Sequence, residues 1–380
     1  EMCIRDRKNI GIFCNHTAVN RNGRHIIDIL DNIDKVNIEA IFEPEHGIWG
    51  MDDKRAKLIG SKRVDPLSGA IVFNLIKKNL YPPDWIMKKL DIIIIDIQDT
   101  GVRYSTFISS ITKLFESASD NGVPIIILDR PNPLGGQKIS GPLPREEYQS
   151  FEAYHIVPIR HGMTIGELLL MVNEMGWVKD LKRVDLKIVP MANWKREQYM
   201  DDLQLPWKKP TPYIKDLNTL IMYTGMDLLR GTNINVGFGT ELPYLRFGSP
   251  WLATKFFKEK LDMLDLPGLT FREVSYKPKG SPYFNRIPKY NGKSCSGIEI
   301  LISDKKLVKP LETATSIITL ISQLHPREFK WEEQGYIDKL FGSNQLSLFV
   351  AQKKPPGYLS PLYMHDEIEF SKFRKTFLLY

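Results

Sequence analysis

Cysteine is scarce in this chain: among 380 residues there are three, Cys3, Cys14 and Cys295, odd in number and far apart. That spacing argues against a disulfide framework and against paired zinc ligands, and Cys14, inside an apolar run, reads as a small buried residue. Long hydrophobic runs are also missing. The longest, such as Ile92-Ile93-Ile94-Ile95, are cut by charges far short of the ~18 residues of a membrane-crossing helix. Residues 1–7 lack the pattern of a signal peptide and lead directly into a strand-like segment, so the natural start is expected to lie upstream. Nucleotide fingerprints are absent: no G-x-G-x-x-G follows the first strand, no G-x-x-x-x-G-K-[ST] occurs, and Gly237-Phe238-Gly239 is too short. H-E-x-x-H and G-x-S-x-G are missing as well, which disfavours zincins and α/β-hydrolases.

What is present is enough apolar residue, 42% of the chain, to build two cores, and a length above one typical domain of ~150 residues. The net charge of +7 comes from scattered Lys and Arg without a nucleic-acid motif. It reads as a solvated basic surface, with an anionic sugar or wall polymer as the alternative partner.

The first ~135 residues alternate short β-type runs with helical periodicity, the pattern of βαβ units around a parallel sheet. Strands are expected at 10–14, 38–42, 71–73, 92–95 and 125–128. Helices are expected at 24–33 and 104–121, the second with Phe107, Ile111, Leu114 and Ala118 on one face, and a short one after Pro82-Pro83. Turn-rich sequence begins at Pro131, and Thr164-Ile165-Gly166-Glu167 reads as a capping box opening a further helix. A strand at 186–189 follows, then, beyond Tyr283, a strand at 297–302 and a helix at 311–324 suggest a smaller α+β domain.

In an open parallel sheet, ligands bind outside the carboxyl ends of the strands. The residues leaving the strands are Asn15-His16-Thr17, Glu43-Pro44-Glu45-His46-Gly47, Asp96-Ile97-Gln98-Asp99 and Asp129-Arg130-Pro131-Asn132. Four polar clusters on one edge point to carboxylate chemistry. Glycoside hydrolysis needs an acid to protonate the leaving oxygen and usually a second carboxylate. Glu45 suits the first role, with Ile48 and Trp49 close enough in sequence to desolvate it; a loop carboxylate capping its neighbours is the plain alternative. His46 fits a proton carrier or a turn histidine bonded to backbone. Asp96, Asp99 and Asp129 compete for the second carboxylate, each equally suited to cap a helix or pair with Arg103 or Arg130. Glu167 belongs to the capping box. Trp49, Trp194 and Trp251 could stack on sugar faces or fill cores.

Read together, these motifs resemble the NamZ-type exo-β-N-acetylmuramidases, bacterial enzymes of peptidoglycan recycling, over essentially the whole chain. The resemblance rests on Asn15-His16-Thr17, Pro44-Glu45-His46-Gly47, Asp96-Ile97-Gln98-Asp99 with Gly101 and Arg103, Leu128-Asp129-Arg130-Pro131-Asn132-Pro133, His161-Gly162-Met163-Thr164, Gly231-Thr232-Asn233, Gly239-Thr240 and Pro250-Trp251. It implies an α/β Rossmann-like, mostly parallel sheet domain, set here at 8–240, followed by a smaller α+β domain at 241–380, with the active cleft between them. It further implies release of terminal N-acetylmuramic acid from the non-reducing end of a peptidoglycan fragment, without cofactor or metal, in the periplasm or outside the cell. Catalytic candidates are Glu45, His46, Asp99 and Asp129. Substrate-binding candidates are Asn15, His16, Gln98, Arg103, Arg130, Asn132, His161, Thr232, Asn233 and Thr240, with Arg103 or Arg130 as the contact for the lactyl carboxylate. The chain departs from the family pattern at Arg230 and Phe238 and at Pro243-Tyr244-Leu245, where the family carries carboxylates and an arginine. Two other readings stand beside this one: a metal-dependent hydrolase using His16, Glu45, His46 and Asp52, and a wall-glycan-binding protein without turnover.

Overall fold

The computed structural model describes residues 7–50, 63–75, 79–280 and 287–380; Cys3 and Asp52 lie outside them. Strands β1 (Lys8–Cys14), β2 (Val36–Glu43), β3 (Ile71–Asn74), β4 (Ile92–Asp96), β5 (Ile125–Leu128) and β6 (Leu186–Val189) form one parallel sheet in the order β3-β2-β1-β4-β5-β6. The isoleucines explain why these short runs become strands covered on both faces. Their side chains alternate, so Ile93 and Ile95 of β4 enter one core, whereas Ile92 and Ile94 pack on the other with Ile10, Ile12 and Cys14.

Helix α1 (Ile26–Leu30) is shorter than the expected 24–33. Ile26 and Ile27 are buried, but Asp31, Asn32 and Asp34 favour turns over helix interior, and Ile33 is exposed. A single turn, α2 (Asp84–Met87), follows Pro83. Helix α3 (Phe107–Asn121) buries the anticipated Phe107, Ile111, Leu114 and Ala118, and ends at Gly122, whose φ of 66° lets its N–H reach the carbonyls of Ala118 and Ser119. Helix α4 (Ile165–Glu174) starts at the capping box of Thr164 and Glu167.

The second half holds α5 (Leu217–Met226), β7 (Arg246–Ser249), α6 (Thr254–Asp262), β8 (Leu269–Tyr276), β9 (Cys295–Ile302), α7 (Pro310–Leu324), α8 (Tyr336–Phe341), α9 (Gln345–Ala351) and α10 (Met364–Phe373). Its strands form an antiparallel sheet, β7-β9-β8. Helices α5 and α7 touch so closely that a Cβ on Gly225 would lie 1.9 Å from the Pro310 carbonyl oxygen. The core of this half does not stop at its border. Val102, Tyr104, Leu134 and Ile159 from the first half join Phe247, Ile298, Ile317 and Leu340 in one cluster.

Candidate active site

The loop after β2 turns sharply, with His46 at φ 75° and Gly47 at φ 76°. A histidine in the left-handed region costs about 1–3 kcal/mol and persists only where its surroundings fix it. Glu43 does so from inside the sheet edge: its buried carboxylate accepts from the Ile48 N–H at 3.0 Å, from Asn74 Nδ2 at 2.8 Å and from Arg63. Glu45 and His46 are thereby pushed out, half-buried, into a cleft whose other wall comes from the second half of the chain. Ile48 and Trp49 are not its walls, contrary to expectation. They turn into the core beneath β1 and β2, where Trp49 lies against His25.

The loop after β4 supplies Thr100 and the run Tyr104 to Phe107, and the Thr106 hydroxyl lies 3.5 Å from Glu45 Oε2. Across the cleft stand Tyr213, Tyr223, Phe238 and Tyr244 in a chain of edge-on and tilted rings, with centroids 4.6–5.3 Å apart, and Tyr104 joins at 5.9 Å. Burial raises the Tyr104, Tyr223 and Tyr244 phenols well above their usual range, so they remain protonated donors.

A charged trio completes the cleft. Arg230 Nη2 donates to Glu152 Oε1 at 2.7 Å, and its Nε lies 3.0 Å from Asp227 Oδ1, an ion pair without hydrogen-bond alignment. Tyr244 donates to the same Asp227 oxygen at 3.1 Å, and Tyr336 to Glu152 at 3.3 Å. Burial opposes the charge on Arg230, but Asp227 and then Glu152 outweigh it and hold the guanidinium protonated. Past Arg230 and Phe238 the cleft adjoins a further cavity of about 280 Å³, walled by Ile234, Val236, Pro288 and Tyr336.

Most other anticipated site residues lie elsewhere, each for a traceable reason. Arg103 is wholly buried. Its Nη1 donates to the carbonyls of Pro142 and Val157, and its Nη2 to those of Leu340 and Phe341, so it ties the two halves together and has no nitrogen in the cleft. Asp129 accepts from Thr164, Tyr380, the Gly166 N–H and the Arg130 N–H, which makes it the anchor of the α4 N-terminus; burial still raises its pKa. Asp99, raised by burial too, accepts from the Gly101 N–H and lies 3.8 Å from His161. Burial first, then Arg374, lowers that imidazole to about 3, so it is neutral. Asn132 bridges the Met163 carbonyl and the Leu134 N–H, Gln98 donates to the Asp99 and Pro131 carbonyls, and Asn15 accepts from Thr17. Thr232 caps the turn after Leu229, Asn233 pairs with the backbone of Glu328 and Lys330, and Thr240 closes the turn from Gly237. These last three residues shape the loop that presents Phe238.

His16 does not line the cleft; its Nε2 lies 2.7 Å from the Lys209 carbonyl, and Arg130 is clamped by Asp96 in a separate cavity. Trp49, Trp194 and Trp251 do not line the cleft. Among the described residues no three His, Cys, Asp or Glu side chains gather as a metal site, and no helix is long and apolar enough to cross a membrane. Sequence reading missed Glu152, Tyr213 and Tyr223, but its departures from the family pattern at Arg230, Phe238 and Tyr244 all fall in this cleft. The i,i+3 spacing of Asp227 and Arg230 was a further signal.

A family model described as "Exo-beta-N-acetylmuramidase NamZ, N-terminal" matches residues 10–218, and its C-terminal counterpart matches residues 221–380. The peptidoglycan beta-N-acetylmuramidase NamZ of Bacillus subtilis (strain 168) is 34% identical over 373 residues, covering 98% of this chain and 87% of that protein. Two crystal structures of DUF1343 family proteins from Bacteroides fragilis NCTC 9343 superpose with TM-scores of 0.88 and 0.80. Their identities are 27% and 28%, and each alignment covers 98% of this chain and 94% of the other.

Proposed function

Since the chain belongs to the NamZ family of exo-β-N-acetylmuramidases along both of its domains, we propose that it hydrolyses the β-linkage of a terminal N-acetylmuramic acid in peptidoglycan fragments, with Glu45 as the general acid. The observation that carries the assignment is the placement of Glu45. It is the carboxyl that the braced, left-handed turn at His46 and Gly47 delivers to the interdomain cleft, while Asp99 and Asp129 are held behind it by backbone donors.

The leaving oxygen takes its proton from Glu45 as the glycosidic bond lengthens and positive charge gathers at the sugar ring. Glu152 and Asp227, fixed by Arg230, line the same cleft and offer negative charge there. One of them replaces the strand-end aspartates as the second carboxylate. The tyrosine edges and hydroxyls form a surface on which an amphipathic sugar ring can lie. The cavity beyond Phe238 gives room for the saccharide on the far side of the cut bond.

Glu45→Gln keeps the shape and removes the acid, and the expected loss is about 10²–10⁴ in turnover of a chromogenic β-muramide. A Glu45→Gln protein that turns over at the wild-type rate would overturn the assignment. Comparison with the matching glucosaminide tests the sugar preference.

A further inference from the structure

The sheet order reverses between β1 and β4, which is where open α/β sheets form a crevice for a ligand. A cavity of about 330 Å³ occupies that crevice, and it shares no lining residue with the Glu45 cleft. Three chain segments each give it a cation: Arg21 after β1, Arg130 after β5 and Lys208 from the proline-rich stretch at 205–213. Among the described residues no acidic side chain lines it.

Arg130 is prepared in advance. Asp96 grips its Nε at 2.5 Å and its Nη2 at 3.0 Å, and Nη2 also donates to the Val19 carbonyl at 3.1 Å. The guanidinium is therefore fixed in direction, with Nη1 as its remaining donor corner. Behind it, the buried hydroxyl of Thr17 accepts from the Gln98 N–H at 3.0 Å and ties the β1 and β4 ends into one rigid floor. With Asp96 counted against Arg130, the charged residues that line the cavity, among the described residues, leave a balance of two positive charges. The Glu45 cleft is the reverse, with Glu45, Glu152 and Asp227 against Arg230.

We propose that this crevice is a second binding site, distinct from the glycosidase cleft, which takes a small oxyanion, a carboxylate or a phosphate, between Arg21, Lys208 and the Nη1 corner of Arg130. Its chemistry follows from donor geometry: a guanidinium held by Asp96 and Val19 offers the N–H groups of Nη1 to an oxyanion in a fixed direction, and two flexible cations close over it. The site does not depend on the glycosidase reading. The chain at 205–213 nevertheless walls both cavities, with Lys208 in one and Thr211 and Tyr213 in the other, and His16 pins it between them at the Lys209 carbonyl.

The test is a thermal-melting titration of the full chain with inorganic phosphate and, separately, with D-lactate, at constant ionic strength kept with chloride. Melting temperature is expected to rise saturably with at least one of the two. Phosphate alone identifies a phosphate site, D-lactate alone a carboxylate site, and both a general oxyanion site. The double substitution Arg21→Ala/Lys208→Ala, at two exposed positions, is expected to weaken the apparent affinity roughly tenfold or more for each charge removed. Glu45→Gln should leave the titration unchanged. The proposal fails if neither anion shifts melting beyond chloride, if the double substitution leaves the affinity intact, or if Glu45→Gln abolishes the shift.

Discussion

Removing the Arg230 guanidinium, as in Arg230→Met, should destabilise the protein strongly. Asp227 is only 2% exposed, and Arg230 is its cationic partner at 3.0 Å; Glu152 is more open and can recover water. Taking one member from a buried ion pair costs about 3–5 kcal/mol, because the charge left behind is poorly solvated. Tyr244 still donates to Asp227, so the lower part of that range, about 3 kcal/mol at pH 7, is the expectation. Adding Asp227→Asn removes the negative charge that Arg230 offsets and should recover about 2 kcal/mol at pH 7. A deficit below about 1 kcal/mol, or one of equal size with and without Asp227→Asn, would refute the idea that Arg230 compensates a buried charge.

Burial, and then Lys113, lowers the imidazole of His155 to about 3, against ~6.5 in an unfolded chain, so stability is complete above that higher value and falls as pH drops. His155→Phe should flatten the stability profile between pH 6 and pH 4 by up to about 1.4 kcal/mol per pH unit, read from urea midpoints; an unchanged slope would mean the ring is protonated in the fold. Gly225→Ala should cost about 3 kcal/mol, since the new methyl meets the Pro310 backbone at the α5–α7 contact, and a melting temperature equal to wild type would disprove that closeness. Arg103→Met leaves four buried carbonyls without a donor and should lower stability by about 3 kcal/mol or more in denaturant unfolding, with Arg103→Lys recovering part.

The parallel sheet was legible because each β-branched run is short, apolar and bounded by polar residues, and the capping box at Thr164 was legible because it is local. Strand β8 was harder to see: Leu269–Tyr276 mixes Arg272, Glu273 and Ser275 with its apolar positions, as a strand with one wet face does. The Glu45 loop could be found from the sheet edge and from motif order. Its carboxylate partners could not: Glu152 and Asp227 come from distant stretches, and nothing local distinguishes a cleft carboxylate from a surface one, although the departures at Arg230, Phe238 and Tyr244 mark the same cleft. Strand-end position even misleads for Asp129 and Arg103, because a helix N-terminus and a row of carbonyls use the same donors and acceptors that a substrate would use.

Tyr104 belongs both to the core that crosses the two halves and to the wall of the cleft, and the four carbonyl bonds of Arg103 run beside it. Mechanically, Tyr104 and the tyrosine wall it meets are parts of one solid block, not jaws on a hinge. Separating them would tear a continuous apolar cluster, so adjustment of the cleft falls to side-chain rotations and to the loop that carries Glu45, whose Ile48 and Trp49 pack in a different cluster.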